Sequence, residues 1–173
     1  MVAFTDALNA CETRPSRTLR LLVNSENSFK VSMARQIAAA FTAAGAATET
    51  VELPWEEYTA ALAAGRFDLY YGEVRLTADW DVSSLLATGG SLNYGGWSDL
   101  QCDQLLEGCR SGGNREAAFR GLCRYLQSQA PILPICFKTV STLYESDVLE
   151  GLTPTAAEPF YGLENISIHL RAN

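Results

Sequence analysis

The stretch of the sequence richest in chemically capable side chains is Phe67–Asp81, whose first half alternates apolar and polar residues. That alternation predicts a β-strand. Three charged residues, Glu73, Arg75 and Asp79, follow in close succession, and Trp80 stands beside the last of them. Acidic groups next to an aromatic ring suit a cationic or polar organic ligand. Because ligands of open α/β sheets lie beyond the carboxyl ends of the strands, this stretch is a candidate ligand site.

Two other interpretations of the same charges stay open. Glu73 and Asp79 could be paired carboxylates for acid–base catalysis, or Glu73 and Arg75 could form an exposed ion pair in a solvated loop. Enzyme signatures are scarce, because the sequence has no Gly-x-Ser-x-Gly elbow, no P-loop and no Gly-x-Gly-x-x-Gly fingerprint. A thiol–base pair with His169 has no supporting signature either. The sequence therefore favours ligand binding over catalysis and predicts no cofactor.

Composition bounds the class of protein. The chain has 173 residues, of which 47% are hydrophobic and 19% charged, a balance typical of one globular domain. A net charge of −7 argues against nucleic acid as a partner. No apolar stretch approaches the roughly 20 residues needed to span a bilayer. Residues 1–17 form a mixed leader without the apolar core of a signal peptide, so we expect either a cytoplasmic protein or a piece of a longer one.

The cysteines and the single histidine do not form a metal-binding pattern. No Cys-x-x-Cys pair occurs and His169 is the only histidine, so we predict no metal site and expect elemental analysis to find no bound zinc. Cys102 and Cys109 are too far apart on one predicted helix for a disulfide. Cys109 and Cys123, on neighbouring predicted helices, are the pair to test first. The general interpretation is that the cysteines are small apolar core residues, namely Cys11, Cys102, Cys109, Cys123 and Cys136.

The first half of the chain alternates between strand and helix patterns. Strands are predicted near residues 18–24, 47–53 and 67–74, with helices near 28–44 and 55–64 between them. This order is typical of parallel strands joined by right-handed helical crossovers. The first helix shows apolar residues at helical spacing, namely Phe29, Met33, Ile37, Phe41 and Ala44.

A glycine-rich loop separates the two halves of the pattern. Residues 87–97 carry Tyr94 and Trp97, which could belong either to the core or to a ligand cleft. Ser98 and Gln101 then form a Ser-x-x-Gln capping box, which predicts the start of a helix.

The remaining pattern is helical and then extended. Asn114 can cap a further helix. Residues 130–137 are apolar with two prolines, which suits an edge strand or a crossing segment. The end of the chain alternates again, over residues 166–170. The predicted buried stripe of the helix after Asn114 comprises Phe119, Leu122, Cys123, Leu126 and Ala130.

The order of these pieces from Leu19 to Lys138 resembles the C-terminal lobe of family 5 extracellular solute-binding proteins, the oligopeptide- and dipeptide-binding components of ABC importers. The arrangement of the segments is more specific than any one of them. The matching segments are a strand followed by ARQIAAAFTAAG, VELPWEEYTAALAAGRFDLYYGEVRLTADWD, LNYGGWSDLQCDQLL, NREAAFRGLCRYLQSQAP and PILPICF.

The resemblance implies an α/β fold, a lobe like that of type II periplasmic binding proteins, with a mixed, mostly parallel sheet flanked by helices. Residues 1–173 would then be a single domain, one lobe of a two-lobe protein, with 1–17 as a leader or linker. The implied partners are a peptide or other small solute, the N-terminal lobe of the same protein and an ABC permease. The implied location is extracytoplasmic, with the membrane reached only through the lipid anchor of a cell-surface lipoprotein.

The resemblance also assigns residues. Asp79 matches the aspartate that pairs with the α-amino group of a bound peptide, although Gly72–Thr77 makes the approach to it longer than in the family. Asn93 and Tyr94 match the loop that lines the cleft. The full set of predicted ligand-binding residues is Glu73, Arg75, Asp79, Trp80, Asn93, Tyr94 and Trp97.

Two rival classes remain. A small intracellular α/β enzyme would explain the missing signal peptide and the free cysteines. A ligand-sensing domain of a transcription regulator would explain the resemblance in a cytoplasmic setting. The sequence upstream of the chain would distinguish these classes from a solute-binding protein.

If the chain is a single lobe, we expect it to fold but to bind its solute weakly.

Overall fold

The computed structural model describes residues 2–11, 15–77, 79–137, 142–145, 147–155 and 158–169. The chain divides into two compact units, Met1–Val74 and Arg75–Asn173. The elements of the first unit are α1 (Val2–Ala10), β1 (Leu19–Asn24), α2 (Ser28–Ala43), β2 (Thr48–Leu53), α3 (Trp55–Ala63) and β3 (Leu69–Tyr71). Those of the second are α4 (Ser83–Leu86), α5 (Leu100–Ser111), α6 (Arg115–Gln129), β4 (Leu149–Glu150), a 3-10 turn (Leu163–Asn165) and β5 (Ser167–Ile168).

The first unit is built on a parallel sheet with the order β2-β1-β3. Leu21 of β1 stands opposite Thr50 of β2 on one side and Leu69 of β3 on the other. The predicted strand–helix alternation with parallel neighbours is confirmed. The third strand is shorter than the predicted residues 67–74, because only Leu69–Tyr71 pair with β1.

On one face of this sheet, the core is made by β1 and the small side chains of α2. Leu21 and Val23 pack under Val31, Ala34 and Ala38. The two alanines let the helix lie close to the sheet, since they add no side-chain bulk at the contact. The stripe expected from the sequence is displaced, because its first member, Phe29, is 59% exposed.

The leader contains a helix that the sequence did not predict, since residues 1–17 show no strong period. Within the described residues, α1 begins at Val2 and ends at Ala10. None of the helices that the structure describes is both long enough and apolar enough to cross a membrane.

The second unit centres on the packing of α5 against α6. Its core contains buried residues of α4, α5 and α6, namely Leu86, Cys102, Leu106 and Leu122. Asn114 caps α6 as predicted, accepting a hydrogen bond from the Ala117 N–H at 3.1 Å. The predicted capping box at Ser98 is wrong, because the N-cap of α5 is Asp99, whose Oδ1 accepts from the Cys102 N–H at 2.6 Å.

Several expected core residues of the second unit lie at the surface. Of the stripe predicted for α6, only Leu122 is buried, whereas Phe119 and Cys123 are exposed. Residues 130–137, all of them described, form no strand. The alternating tail pairs as the short antiparallel ladder of β4 and β5, and Leu170 lies outside the described residues. All five cysteines, each of them described, are free thiols, so Cys109 and Cys123 are not bonded to each other.

Candidate functional site

The strand order of the first unit reverses at β1. β1 lies at the centre of the sheet, with β2 on one side of it and β3 on the other. In open α/β sheets the crevice at such a reversal is the usual place for a ligand. Here the loop Asn24–Asn27 follows β1 and the segment Gly72–Glu73 follows β3, so these loops form the carboxyl edge of the sheet.

Glu73 is held at this edge by an ion pair. The Nζ of Lys30, in the first turn of α2, lies 2.8 Å from Oε2 of Glu73. The Lys30 side chain is 18% exposed and that of Glu73 is 45% exposed. The pair therefore joins α2 to the loop after β3, and a solute carboxylate or amine would have to compete with it.

The loop after β1 is fixed by two caps. Asn27 caps α2, accepting a hydrogen bond from the Lys30 N–H at 3.0 Å. Oε1 of Glu26 accepts from the Trp55 N–H at 2.9 Å, at the start of α3. The position of this loop thus depends on both crossover helices.

Asp79 belongs to a tight turn of the second unit. The Trp80 N–H donates to the Thr77 carbonyl at 3.0 Å. The pKa of the Asp79 carboxyl is lowered, first by a hydrogen bond from the Thr77 hydroxyl and then by backbone N–H groups. Asp79 is exposed to solvent and ionised at neutral pH, so it is a fixed negative charge on an accessible turn.

Trp80 adopts a backbone conformation that bulky residues rarely take. Its φ is 58°, in the left-handed region. Its side chain is 53% exposed and meets Phe137, itself 74% exposed, edge to face with ring centroids 5.4 Å apart. Strained residues of this kind concentrate at functional sites. Phe137 was missed by the sequence analysis, since no local pattern links it to Trp80.

Asn93 organises the glycine-rich loop. Its Nδ2 donates to the carbonyls of Ala87, at 3.0 Å, and Trp97, at 2.6 Å. Its Oδ1 accepts from the Trp97 N–H at 2.9 Å. The side-chain amide is therefore committed to the loop itself, and its part in a site would be to position its neighbours.

The aromatic residues of the same loop differ in their surroundings. Tyr94 and Trp97 are both half-buried. Burial raises the pKa of the Cys102 thiol, and the indole of Trp97 opposes that shift, which places Trp97 beside a fully buried residue of α5. The sequence left open whether Trp97 belongs to the core or to a ligand cleft, and its position favours the core.

The structure thus groups the predicted residues by unit. Asp79 and Trp80 share one turn of the second unit. The second unit also contains Arg75, at the surface, and the loop of Asn93, Tyr94 and Trp97, whereas Glu73 belongs to the first unit. Their roles as solute contacts stay predictions. Within the described residues, no group of three or more His, Cys, Asp or Glu side chains could hold a metal ion.

No family model matches the sequence, and no curated protein matches it significantly. Solved structures do match. The murein tripeptide binding protein MppA of Escherichia coli has a TM-score of 0.63 and 21% identity, over 75% of this chain and 27% of that chain. The pheromone receptor PrgZ, whose mode of peptide binding is known, has a TM-score of 0.64 and 17% identity, over 97% and 33%. NikZ of Campylobacter jejuni, solved with Ni(L-His), has a TM-score of 0.54 and 16% identity, over 63% and 24%.

These likenesses establish the fold. The chain has the α/β fold of part of a solute-binding protein, and the resemblance derived from the sequence is confirmed at that level. The chain spans only 24% to 33% of the length of these three solved proteins.

Proposed function

We propose that this chain is part of a family 5 solute-binding protein and contributes one side of a peptide-binding cleft, without catalysing a reaction. The fold shared with MppA and PrgZ supports the class. Both of those proteins bind peptides, which makes a peptide the favoured solute. The absence of an enzyme signature in the sequence agrees with this proposal.

The observation that carries the proposal is the turn of Asp79 and Trp80. An ionised, accessible carboxylate stands next to an exposed aromatic ring that meets a second one, Phe137. A carboxylate can bind the free α-ammonium group of a peptide by charge-assisted hydrogen bonds. The rings can cover an apolar side chain or face the ammonium group itself.

The remainder of the proposal follows from the class. A second lobe of the same protein would complete the cleft, and an ABC permease would receive the solute. The working location would be extracytoplasmic, with the longer protein held at the membrane by a lipid anchor.

The test compares peptides that differ only at the N-terminus. Titrations of this chain with a tripeptide and with its N-acetylated form, followed by NMR, measure the contribution of the α-ammonium group even at millimolar affinity. We expect acetylation, and separately Asp79→Asn, to weaken binding about tenfold. Asp6→Asn is the control, since Asp6 is exposed on α1 and the change alters the net charge by the same amount. Equal binding of both peptides by the parent chain and by Asp79→Asn would overturn the assignment of Asp79.

A further inference from the structure

The rings of Trp80 and Phe137 form an exposed corner on the second unit. Their planes are inclined at 62° and their centroids are 5.4 Å apart, an edge-to-face arrangement. In such a pair, the ring that presents its edge keeps both of its faces free of its partner. Both residues are exposed to solvent, so the corner is open to a ligand.

The backbone at Trp80 is one that turn chemistry alone would not give to tryptophan. Its φ of 58° lies in the left-handed region, which glycine or asparagine adopts at lower cost. A residue with a small side chain would therefore form this turn more easily. What the position gains is the indole ring itself, and the contact with Phe137 leaves that ring exposed.

A carboxylate without a cation of its own stands next to this corner. Among the described residues, no lysine, arginine or histidine lies within ion-pair distance of Asp79. The pKa of Asp79 is lowered mainly by the Thr77 hydroxyl, and the charged group that acts on it is a second carboxylate, that of Asp81. Arg110 acts on the pKa of Asp81 instead, after the larger effect of the Ser83 hydrogen bonds.

The faces of the two rings are also free of cations. In the part of the chain that the structure describes, no lysine or arginine stacks on Trp80 or Phe137. A cation within about 6 Å of the centroid, over the face of such a ring, is attracted by the ring quadrupole. A ligand cation between this corner and the Asp79 carboxylate would gain from both groups. An apolar side chain would gain only the ring contact, so the surroundings favour a cationic one.

We propose that Trp80 and Phe137 select a basic first side chain in the bound peptide. The α-ammonium group would bind Asp79, and the side-chain ammonium of a first-position lysine would lie over a ring face. Because Trp80 directly follows Asp79, the first side chain is the one closest to the corner. This inference rests on the function proposed above, since it takes a peptide as the solute and Asp79 as its contact.

The probes are Lys-Ala-Ala and norleucine-Ala-Ala, whose first side chains differ only in the terminal ammonium group. NMR titration of the whole chain measures both affinities. We expect the lysine peptide to bind about fivefold more tightly. Equal affinity, a preference for norleucine, or no binding of either peptide at millimolar protein would overturn the proposal.

A second pair of peptides measures general attraction to the chain, whose net charge of −7 attracts any added ammonium group. Ala-Ala-Lys and Ala-Ala-norleucine differ in the same way as the first pair, but at the last position. We expect their affinities to agree within about twofold. A lysine preference as large as that of the first pair would show that the first side chain is not recognised, against the proposal.

Ring substitutions assign the preference to the corner. Trp80→Leu and Phe137→Leu each remove a ring but keep an apolar side chain, and both positions are exposed, so the fold should persist. We expect each variant to reduce the preference for Lys-Ala-Ala to about twofold or less, whereas Phe137→Tyr, which keeps a ring, retains it. An unchanged preference in both leucine variants would exclude the rings as its source.

Lys138→Gln tests the basic residue that follows Phe137 in the sequence and lies outside the described residues. Because this variant removes a cation close in sequence to the corner, we expect a preference for Lys-Ala-Ala equal to that of the parent or larger. Loss of the preference in Lys138→Gln would contradict the proposal.

The outcomes also separate this inference from the proposed function. If acetylation weakens binding but lysine and norleucine peptides bind equally, Asp79 stays assigned and only the role of the rings is excluded. If the lysine preference depends on the rings but acetylation has no effect, the rings stay assigned and Asp79 is excluded as the contact of the α-ammonium group.

Discussion

Asp68 shows how a single side chain can join segments that are distant in sequence. Its Oδ2 accepts hydrogen bonds from Nη1 of Arg17 at 2.7 Å and from the Arg20 N–H at 2.8 Å. Arg17 precedes β1, Arg20 lies within it, and Asp68 stands just before β3. The hydrogen bond from Arg17 is the main cause that lowers the pKa of the Asp68 carboxyl, and the Arg20 N–H is the second. The carboxylate therefore stabilises the start of the parallel sheet.

We predict that Asp68→Asn lowers the free energy of unfolding by about 1 kcal/mol at neutral pH, a modest effect because the Arg17 side chain is 65% exposed. The folded-state pKa is depressed, so the stabilisation is complete above the ordinary aspartate pKa of about 4 and is lost as the pH falls through the lower folded value. Urea unfolding at pH 7 and pH 3 measures the effect. The difference between parent and variant should shrink at pH 3.

Asp6→Asn provides the control for this experiment, because Asp6 is exposed on α1. It should change the stability little at either pH. A difference between Asp68→Asn and the parent that is the same at pH 3 and pH 7 would show that the charge of Asp68 is not what stabilises the sheet.

The glycine-rich loop depends on a close backbone contact with α4. A Cβ added to Gly90 would lie 2.5 Å from the Ser84 carbonyl oxygen, and the Leu92 N–H donates to that same oxygen at 2.8 Å. No side chain fits at such a distance without a shift of the backbone. The loop that contains Asn93, Tyr94 and Trp97 therefore packs directly against the backbone of α4 at Gly90.

We predict that Gly90→Ala destabilises the chain by about 1–3 kcal/mol, because the new methyl group must displace the backbone of α4 or of the loop. Gly95→Ala is the matched control from the same loop. A Cβ at Gly95 would meet nothing within 4 Å, so its stability should stay within about 0.5 kcal/mol of the parent. Urea unfolding compares the three proteins, and equal stability of both variants would contradict the close contact.

The elements that the sequence predicted well are those determined by local patterns. β1, β2, α2 and α3 begin and end within a residue or two of their predicted bounds, because periodicity, Pro54 and Gly45 act over short distances. The end of β3 was predicted too far along the chain. Its length depends on pairing with β1, and only Leu21–Val23 of that strand pair with it.

Features that depend on packing were not predictable in the same way. The apolar stripe of α2 read from the sequence begins with Phe29, whereas the buried contact is made by Val31, Ala34 and Ala38. A helix with small residues on one face can approach the sheet more closely on that face, which a pattern of large apolar residues does not reveal. The contact of Trp80 with Phe137 joins residues 57 positions apart, and no local signal marks it.

At the scale of the whole molecule, the second unit exposes many large apolar side chains. Residues 132–144 include Ile132, Leu133, Ile135, Phe137, Leu143 and Tyr144 at the surface. Exposed apolar groups of this density are typical of interaction surfaces. If a further lobe completes the protein as proposed above, we expect it to cover part of this surface.

We predict that the isolated chain folds but binds peptide weakly. If the complete protein bound at about micromolar affinity, close to −8 kcal/mol, the loss of half of that free energy would leave roughly millimolar binding. Closure of two lobes buries the solute and excludes water, which one lobe cannot do. Titration calorimetry of the same peptides against this chain and against the longer protein measures the difference. Tight binding by this chain alone would mean that the site is complete within it.

The central place of β1 also sets the order of events during synthesis. Both strands that flank it come later in the chain, and the second of them, β3, ends only at Tyr71. At about 5–20 residues per second, roughly 2 to 9 s pass between the addition of Asn24 and that of Tyr71. During that interval the apolar side chains of Leu21, Leu22 and Val23 lack at least one of their neighbouring strands. The three-stranded parallel sheet therefore cannot be completed during synthesis before the chain has reached Tyr71.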